Sequence, residues 1–319
     1  ERTVLSNVLQ HSNEKFKTSA AFRSYLDDLF GTVLYFDTTK RGNEHTLLLN
    51  VETVNDQYLA NSNVLQEVLD LIHTVIFSPN LENDAFVSSI VEREKEMVLE
   101  RIHSIFDDKA RYAQYRLMQI LRPNHPASIS ANGTIETVKA VTPQSLKAAY
   151  DSMLQNDTVD IYVVGDIDVE EMTEKLRQVL AFGDRELHEK QLKTEIDTKP
   201  EEYTKEQQEM KQGKLHIGFS TPVYFGDPDF PKMQIFNGIF GGYAHSKLFM
   251  NVREKMSLCY YCSARLIDSK GIITVESGVE TENAYKALDA IRKELNDVRQ
   301  GNFDDEVIEN AKLSLTDSY

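Results

Sequence analysis

The order of secondary-structure signals in this chain occurs twice, and that recurrence constrains its fold more than any single residue does. In the first half, periodicity predicts a helix over 18–30, a break at Gly31, strands over 32–37 and 46–51, and an amphipathic helix over 64–77. In the second half, a helix over 230–240 leads to Gly241-Gly242, then a helix over 246–255 and a strand over 258–267. The turn Asp268-Ser269-Lys270-Gly271, a strand over 272–277 and a helix over 282–299 complete that run. Asn302-Phe303-Asp304-Asp305-Glu306 then echoes Asn80-Leu81-Glu82-Asn83-Asp84, both in spacing from the preceding helix and in opening an acidic-capped helix. The offset of about 220 residues fits a duplicated domain rather than a solenoid repeat.

Between the two runs, Ser78-Pro79-Asn80 closes a helix, and a long charged helix is expected from near Asn83 to Leu121, before Pro123. Thr142-Pro143 is an N-cap with proline at the first helical position, opening a helix to about 154. A short buried strand is expected over 160–164 and a helix over 169–182. Residues 183–208 are charged, contain Pro200 and lack apolar periodicity, which reads as a linker between domains at 1–182 and 209–319. The strand near 214–220 has no counterpart ahead of Thr3, and the elements over 101–182 have none after Tyr319. Domain size therefore predicts a fragment, with roughly 30 to 60 residues absent in front and about 90 to 110 behind.

Composition narrows the function. The 319 residues are 41% hydrophobic, which is enough for large cores and too much for disorder. With 35 basic against 51 acidic residues the formal charge is −16, which argues against binding nucleic acid, is compatible with a basic partner or peptide, and is most simply read as a device for solubility. No apolar run reaches the ~18 residues of a membrane span. Two cysteines form no disulfide framework, and no signal segment opens the chain, so a cytoplasmic location is expected.

The passage Gly241-Gly242-Tyr243-Ala244-His245-Ser246-Lys247-Leu248-Phe249-Met250-Asn251-Val252-Arg253-Glu254-Lys255, followed by Leu258-Cys259-Tyr260, resembles the C-terminal half of the M16 metallopeptidases. That family includes pitrilysin-like enzymes, insulin-degrading enzyme and the mitochondrial processing peptidase. Gly133-Thr134-Ile135-Glu136, Val141-Thr142-Pro143 and Val163-Val164-Gly165-Asp166 resemble the end of its N-terminal domain. Val91-Glu92-Arg93-Glu94-Lys95-Glu96-Met97-Val98-Leu99 resembles its long helix. The likeness spans the chain and implies a duplicated LuxS/MPP-like α+β domain, a largely antiparallel sheet with helices packed on one side. Around Arg2-Thr3-Val4-Leu5 and Asn13-Glu14-Lys15-Phe16 it is closest to a bacterial M16-like group associated with elongation factor P modification.

An active member carries an inverted zinc motif, His-x-x-Glu-His, on a helix, and a further Glu from the long helix. The resemblance places Thr3, Ser6 and Asn7 at the His, Glu and His positions and Arg101 at the last ligand. None of these can hold zinc, and a cation at 101 would repel it. The family's arginine and tyrosine that face the substrate backbone match Arg253 and Tyr260. A tyrosine hydroxyl can donate to an oxyanion and an arginine can hold a carbonyl or carboxylate.

Other motifs carry less. His11-Ser12-Asn13-Glu14-Lys15 mimics the zinc motif, but lysine ends it and no two of the 8 histidines stand at i and i+4. His11 reads as a surface histidine near a helix end. Cys259-Tyr260-Tyr261-Cys262 spells C-x-x-C, yet on a regular strand i and i+3 face opposite sides, so the thiols are expected to diverge. Asp27-Asp28 and Asp107-Asp108 read as solvated faces and caps, and Gly241-Gly242 as a helix stop.

These readings converge on a non-catalytic M16-type subunit. It binds no zinc itself, and it pairs with a zinc-bearing homologue to enclose peptides and contributes Arg253 and Tyr260. Neither nucleic acid nor membrane is an expected partner, and a homodimer is left open. Two rivals are a purely structural M16-like assembly protein and a zinc endopeptidase with an unorthodox site.

Overall fold

The computed structural model describes residues 1–60, 63–123, 125–185 and 201–319. Of the linker expected over 183–208, residues 186–200 lie outside the described residues. The chain divides into two compact units. One comprises Glu1–Lys40, His45–Ser104 and Ser130–Lys190, and the other Arg41–Glu44, Ile105–Ile129 and Gln191–Tyr319.

The first unit begins with α1 (Arg2–His11), which periodicity alone left unread. Its apolar residues Val4, Leu5, Val8 and Leu9 stand at i, i+1, i+4 and i+5, forming one stripe that is at most 3% exposed. They pack with Val91, Val98 and Ile102 of α4 (Ser88–Asp107) and Leu146 and Tyr150 of α7 (Pro143–Asn156). Full burial contributes about 1.5–3 kcal/mol per such side chain, so the stripe compensates for a helix whose N-cap, Glu1, makes no side-chain capping bond.

A second apolar cluster joins α2 (Ser19–Asp28) to α3 (Val64–Phe77) through Phe22, Leu26, Val64, Val68, Leu71 and Val75. Strands β1 (Val33–Arg41) and β2 (Glu44–Glu52) pair as a two-stranded sheet, and Leu34 of β1 joins this cluster. The capping signal read from sequence is present. Thr142 caps α7 in a capping box with Ser145, as read; Thr18, not read as a cap, also caps α2 through Ala21 N.

Three expectations for this part of the chain are corrected. The long helix does not start near Asn83: Asn83 and Asp84 have φ of 51° and 60° and turn a tiny hairpin between β3 (Leu81–Glu82) and β4 (Ala85–Phe86). Nor does it run unbroken to Leu121. Asp108 is extended (φ −85°, ψ 99°), and its carboxylate accepts from Ala110 N and Arg111 N at 3.0 and 3.1 Å to open α5 (Lys109–Leu121). Residues 160–164 form no strand. Their apolar run has no ladder partner among the described residues, and Tyr162 and Val164 are 86% and 97% exposed.

The second unit is built on a three-stranded antiparallel sheet in the order β5 (Gly213–Ser220), β7 (Ile272–Val279), β6 (Cys259–Ile267). One face carries Ile217, Ile273, Val275, Cys262 and Ala264 into a core shared with α10 (Ala284–Arg299) and α11 (Asp305–Asp317). On β5, His216 points to the other face, where its Nδ1 lies 3.3 Å from Gln114 Oε1 of α5. The helix α9 (Phe230–Asn237) runs on into π-helical turns at Gly238–Gly242, and a second π-helix spans Leu248–Lys255. Gly241 does more than stop a helix: a Cβ there would lie 2.6 Å from that of Ala264, so its absence lets the turn press against β6.

Strand β6 is not regular. Cys259 opposes Val279 and Tyr261 opposes Gly278, so two steps on β6 match one on β7, and Tyr260 is the extra residue of a β-bulge. The bulge overturns the expected divergence of the two thiols. Cys259 and Cys262 oppose Val279 and Ser277, which lie two apart on β7 and therefore on the same face.

Candidate functional site

Two groups of residues bear on function, one in each unit. In the first unit, a pocket of about 340 Å³ is walled by α1, α2, β1 and α4. Of the residues expected at the zinc positions, Ser6, Asn7 and Arg101 all line it. Thr3 does not: it is 3% exposed, and its hydroxyl donates to Ala131 O at 2.6 Å. Ser6 donates to Thr3 O at 2.8 Å, one helical turn back. The Arg2 guanidinium is paired with Asp157, the C-cap of α7, and so anchors the start of α1.

On α4, Arg93, Met97 and Arg101 follow at intervals of four and face the pocket together. Beside them, Glu94 is 8% exposed, and its Oε1 lies 3.2 Å from His11 Nδ1. This corrects the reading of His11 as a surface residue, since its side chain is only 12% exposed. Burial pushes the His11 pKa down, and the Glu94 carboxylate opposes that shift. Arg23 of α2 and Asp37 of β1 complete the charged lining. Periodicity could have found α1 from its apolar spacing, but nothing local to His11 announces Glu94, 83 residues away in sequence.

A zinc ion, which the family resemblance places at these positions, does not fit these side chains. Ser6 gives its proton to a carbonyl, Asn7 is neutral and Arg101 is a fixed cation, whereas zinc takes thiolate, imidazole or carboxylate. Among the described residues, no group of three or more His, Cys, Asp or Glu could hold a metal.

In the second unit, Arg253 and Tyr260 are brought together by the π-helix and the bulge. Arg253 Nε donates to Tyr260 O at 2.9 Å, and its guanidinium lies 4.5 Å from the centre of the Phe249 ring. The Tyr260 side chain projects outward, 59% exposed, with its hydroxyl 3.4 Å from Glu280 Oε1. The π-helix is held from behind by Glu294, which is 5% exposed. It accepts from Asn251 Nδ2 at 2.8 Å and pairs with Lys247 at 3.4 Å.

The fold is metallopeptidase-like, and the side chains expected at its metal position are ones that do not ligate zinc. Residues 140–315 match the model of the Peptidase M16 inactive domain. The chain is 37% identical over 317 residues to the "Probable inactive metalloprotease YmfF" of Bacillus subtilis (strain 168), covering 99% of this chain and 74% of that protein. The chain belongs to the M16 peptidase family. Among solved structures, a conserved protein from Enterococcus faecalis V583 superposes with a TM-score of 0.93 at 34% identity, over 100% of this chain and 75% of that one. A peptidase M16 inactive domain from Pseudomonas fluorescens superposes at 0.75 with 17% identity, over 99% and 73%. No helix among the described residues is long and apolar enough to cross a membrane.

Proposed function

We propose that this chain is the zinc-less member of a two-chain M16 peptidase, pairing with a zinc-bearing homologue and supplying Arg253 and Tyr260 to the enclosed peptide. The observation that carries this reading is a contrast between the two sites. The positions expected to bind zinc carry a hydroxyl, an amide and a guanidinium, while the pair expected to face substrate is held together by a bulge and a π-helix. An exposed tyrosine hydroxyl resting on a carboxylate can turn to donate to an oxyanion, and the adjacent guanidinium can hold a peptide carbonyl. The peptide itself would add as a strand along a sheet edge. The cytoplasmic location and the division into domains at 1–182 and 209–319 belong to the same reading.

The test is to co-express the full-length protein with a zinc-bearing homologue, confirm the complex by size exclusion, and assay peptide cleavage. The Arg253→Ala and Tyr260→Phe variants should assemble normally and lose cleavage. Unchanged turnover in both variants would favour the purely structural role.

A further inference from the structure

We propose that Cys259 and Cys262 form a redox-active dithiol, which a hydroperoxide oxidises to an intramolecular disulfide. This inference concerns the strand itself and does not rest on the two-chain reading above.

The geometry comes from the bulge. Because Tyr260 is the extra residue, Cys259 and Cys262 stand opposite Val279 and Ser277, on the core face. Tyr261, between them, goes the other way. Its ring covers the face of Gly278, where a Cβ would come within 2.4 Å of the ring, and Lys214 Nζ lies 5.3 Å from the ring centre. The two cysteines thus span the length of two residues on β7, about 6.6 Å, which lies inside the Cα separation that a disulfide accepts. Both belong to the same apolar cluster, and both are free thiols.

The two thiols differ in the way such chemistry requires. Cys259 is partly exposed, whereas Cys262 is 3% exposed. The neighbouring Cys262 thiol, Ser277 and the Arg253 charge outweigh burial and hold the Cys259 pKa down to about 7, while Cys259 and burial push Cys262 up. Cys259 is therefore the accessible nucleophile, and Cys262 the protected partner.

The steps balance. The Cys259 thiolate attacks the outer oxygen of hydrogen peroxide; the O–O bond breaks, and hydroxide leaves and is protonated to water. Cys259 becomes a sulfenic acid. The Cys262 sulfur then attacks the Cys259 sulfur, the S–O bond breaks, and the departing hydroxide takes the Cys262 proton as a second water. Two thiols lose two electrons in total, and one peroxide gains them.

The test treats the purified full-length protein with hydrogen peroxide and follows intact mass without reduction, free thiols after denaturation, and dimedone adducts. Wild type should lose both thiols together and about 2 Da, with no lasting dimedone adduct, and dithiothreitol should restore both. Cys262→Ser, or Cys262→Ala if serine unfolds the core, should stop at the sulfenic acid and take one dimedone on residue 259. In Cys259→Ser, the remaining thiol should react at least about tenfold more slowly than Cys259 does in wild type. Retention of both thiols, a dimedone adduct on Cys259 of the wild type without a disulfide, or a disulfide only between chains would each overturn the proposal.

Discussion

The Nε of Arg253 holds the carbonyl of Tyr260 at 2.9 Å, tying a π-helix to the bulged residue of the neighbouring strand. The contact is to the backbone, so it fixes where Tyr260 stands while leaving its side chain free.

That division of labour separates two variants. Tyr260→Phe removes an exposed hydroxyl and should change stability by no more than about 0.5 kcal/mol. In a reconstituted two-chain enzyme it should lower kcat by ~10²-fold if the hydroxyl donates to the oxyanion. Arg253→Lys keeps the charge but not the Nε donor, so it should lose cleavage as well, with the complex still forming on size exclusion.

Gly278→Ala tests the bulge. The added methyl meets the Tyr261 ring and Gln212 Oε1 at 2.4 and 2.9 Å, so the ring must move. A destabilisation of about 1–3 kcal/mol is expected by urea titration, with an unchanged m-value. A neutral result would mean that Tyr261 does not pack over this position.

His216 should make the second unit acid-sensitive. Burial, and secondarily the Lys214 charge, lower its pKa from 6.5 to about 4, and its Nε2 is buried with no hydrogen-bond partner among the described residues. Between those values the unfolded chain binds a proton that the folded chain does not. Stability therefore falls as pH drops from about 6.5 towards 4, by on the order of 3 kcal/mol in the limit. His216→Gln should flatten that part of the stability–pH curve.

Zinc content is the direct check on the first site. Purified without a homologous partner, the protein should carry well under ~0.1 zinc per chain by atomic emission, because the expected ligand positions lining the pocket hold a hydroxyl, an amide and a guanidinium and no group of three or more His, Cys, Asp or Glu among the described residues could hold a metal. One zinc per chain would point to His11 and Glu94, which already lie 3.2 Å apart. The variants His11→Ala and Glu94→Gln would then have to abolish it.

Where a local signal and the tertiary environment agree, the sequence is readable. The helix expected over 64–77 is the helix found, because its apolar face is continuous, and Thr142-Pro143 opens α7 at the proline. The misses share a cause in non-local geometry. Asn83-Asp84 can cap a helix or turn a hairpin, and the pairing of Leu81 with Phe86 decides for the turn. Asp108 caps α5 inside a stretch whose composition is helical throughout. The apolar run over 161–164 carries a strand's pattern but forms no ladder among the described residues.

The candidate sites divide in the same way. Arg253 and Tyr260 are singled out only by the family resemblance, and their mutual contact involves an extra residue at Tyr260 that no propensity encodes. The strand rule of alternating faces separates Cys259 from Cys262, and one inserted residue reverses that outcome.

The π-helix over Leu248–Lys255 makes the placement of Arg253 a matter of residue count. Its hydrogen bonds reach back five residues, as from Met256 N to Asn251 O at 2.9 Å, so the segment holds one residue more than an α-helix closing the same gap. Losing a single codon there would let it relax to α geometry across the same gap and re-aim the side chains within the segment. The guanidinium would then no longer be aimed at the Tyr260 carbonyl. A lineage could thus discard this half of the site in one step.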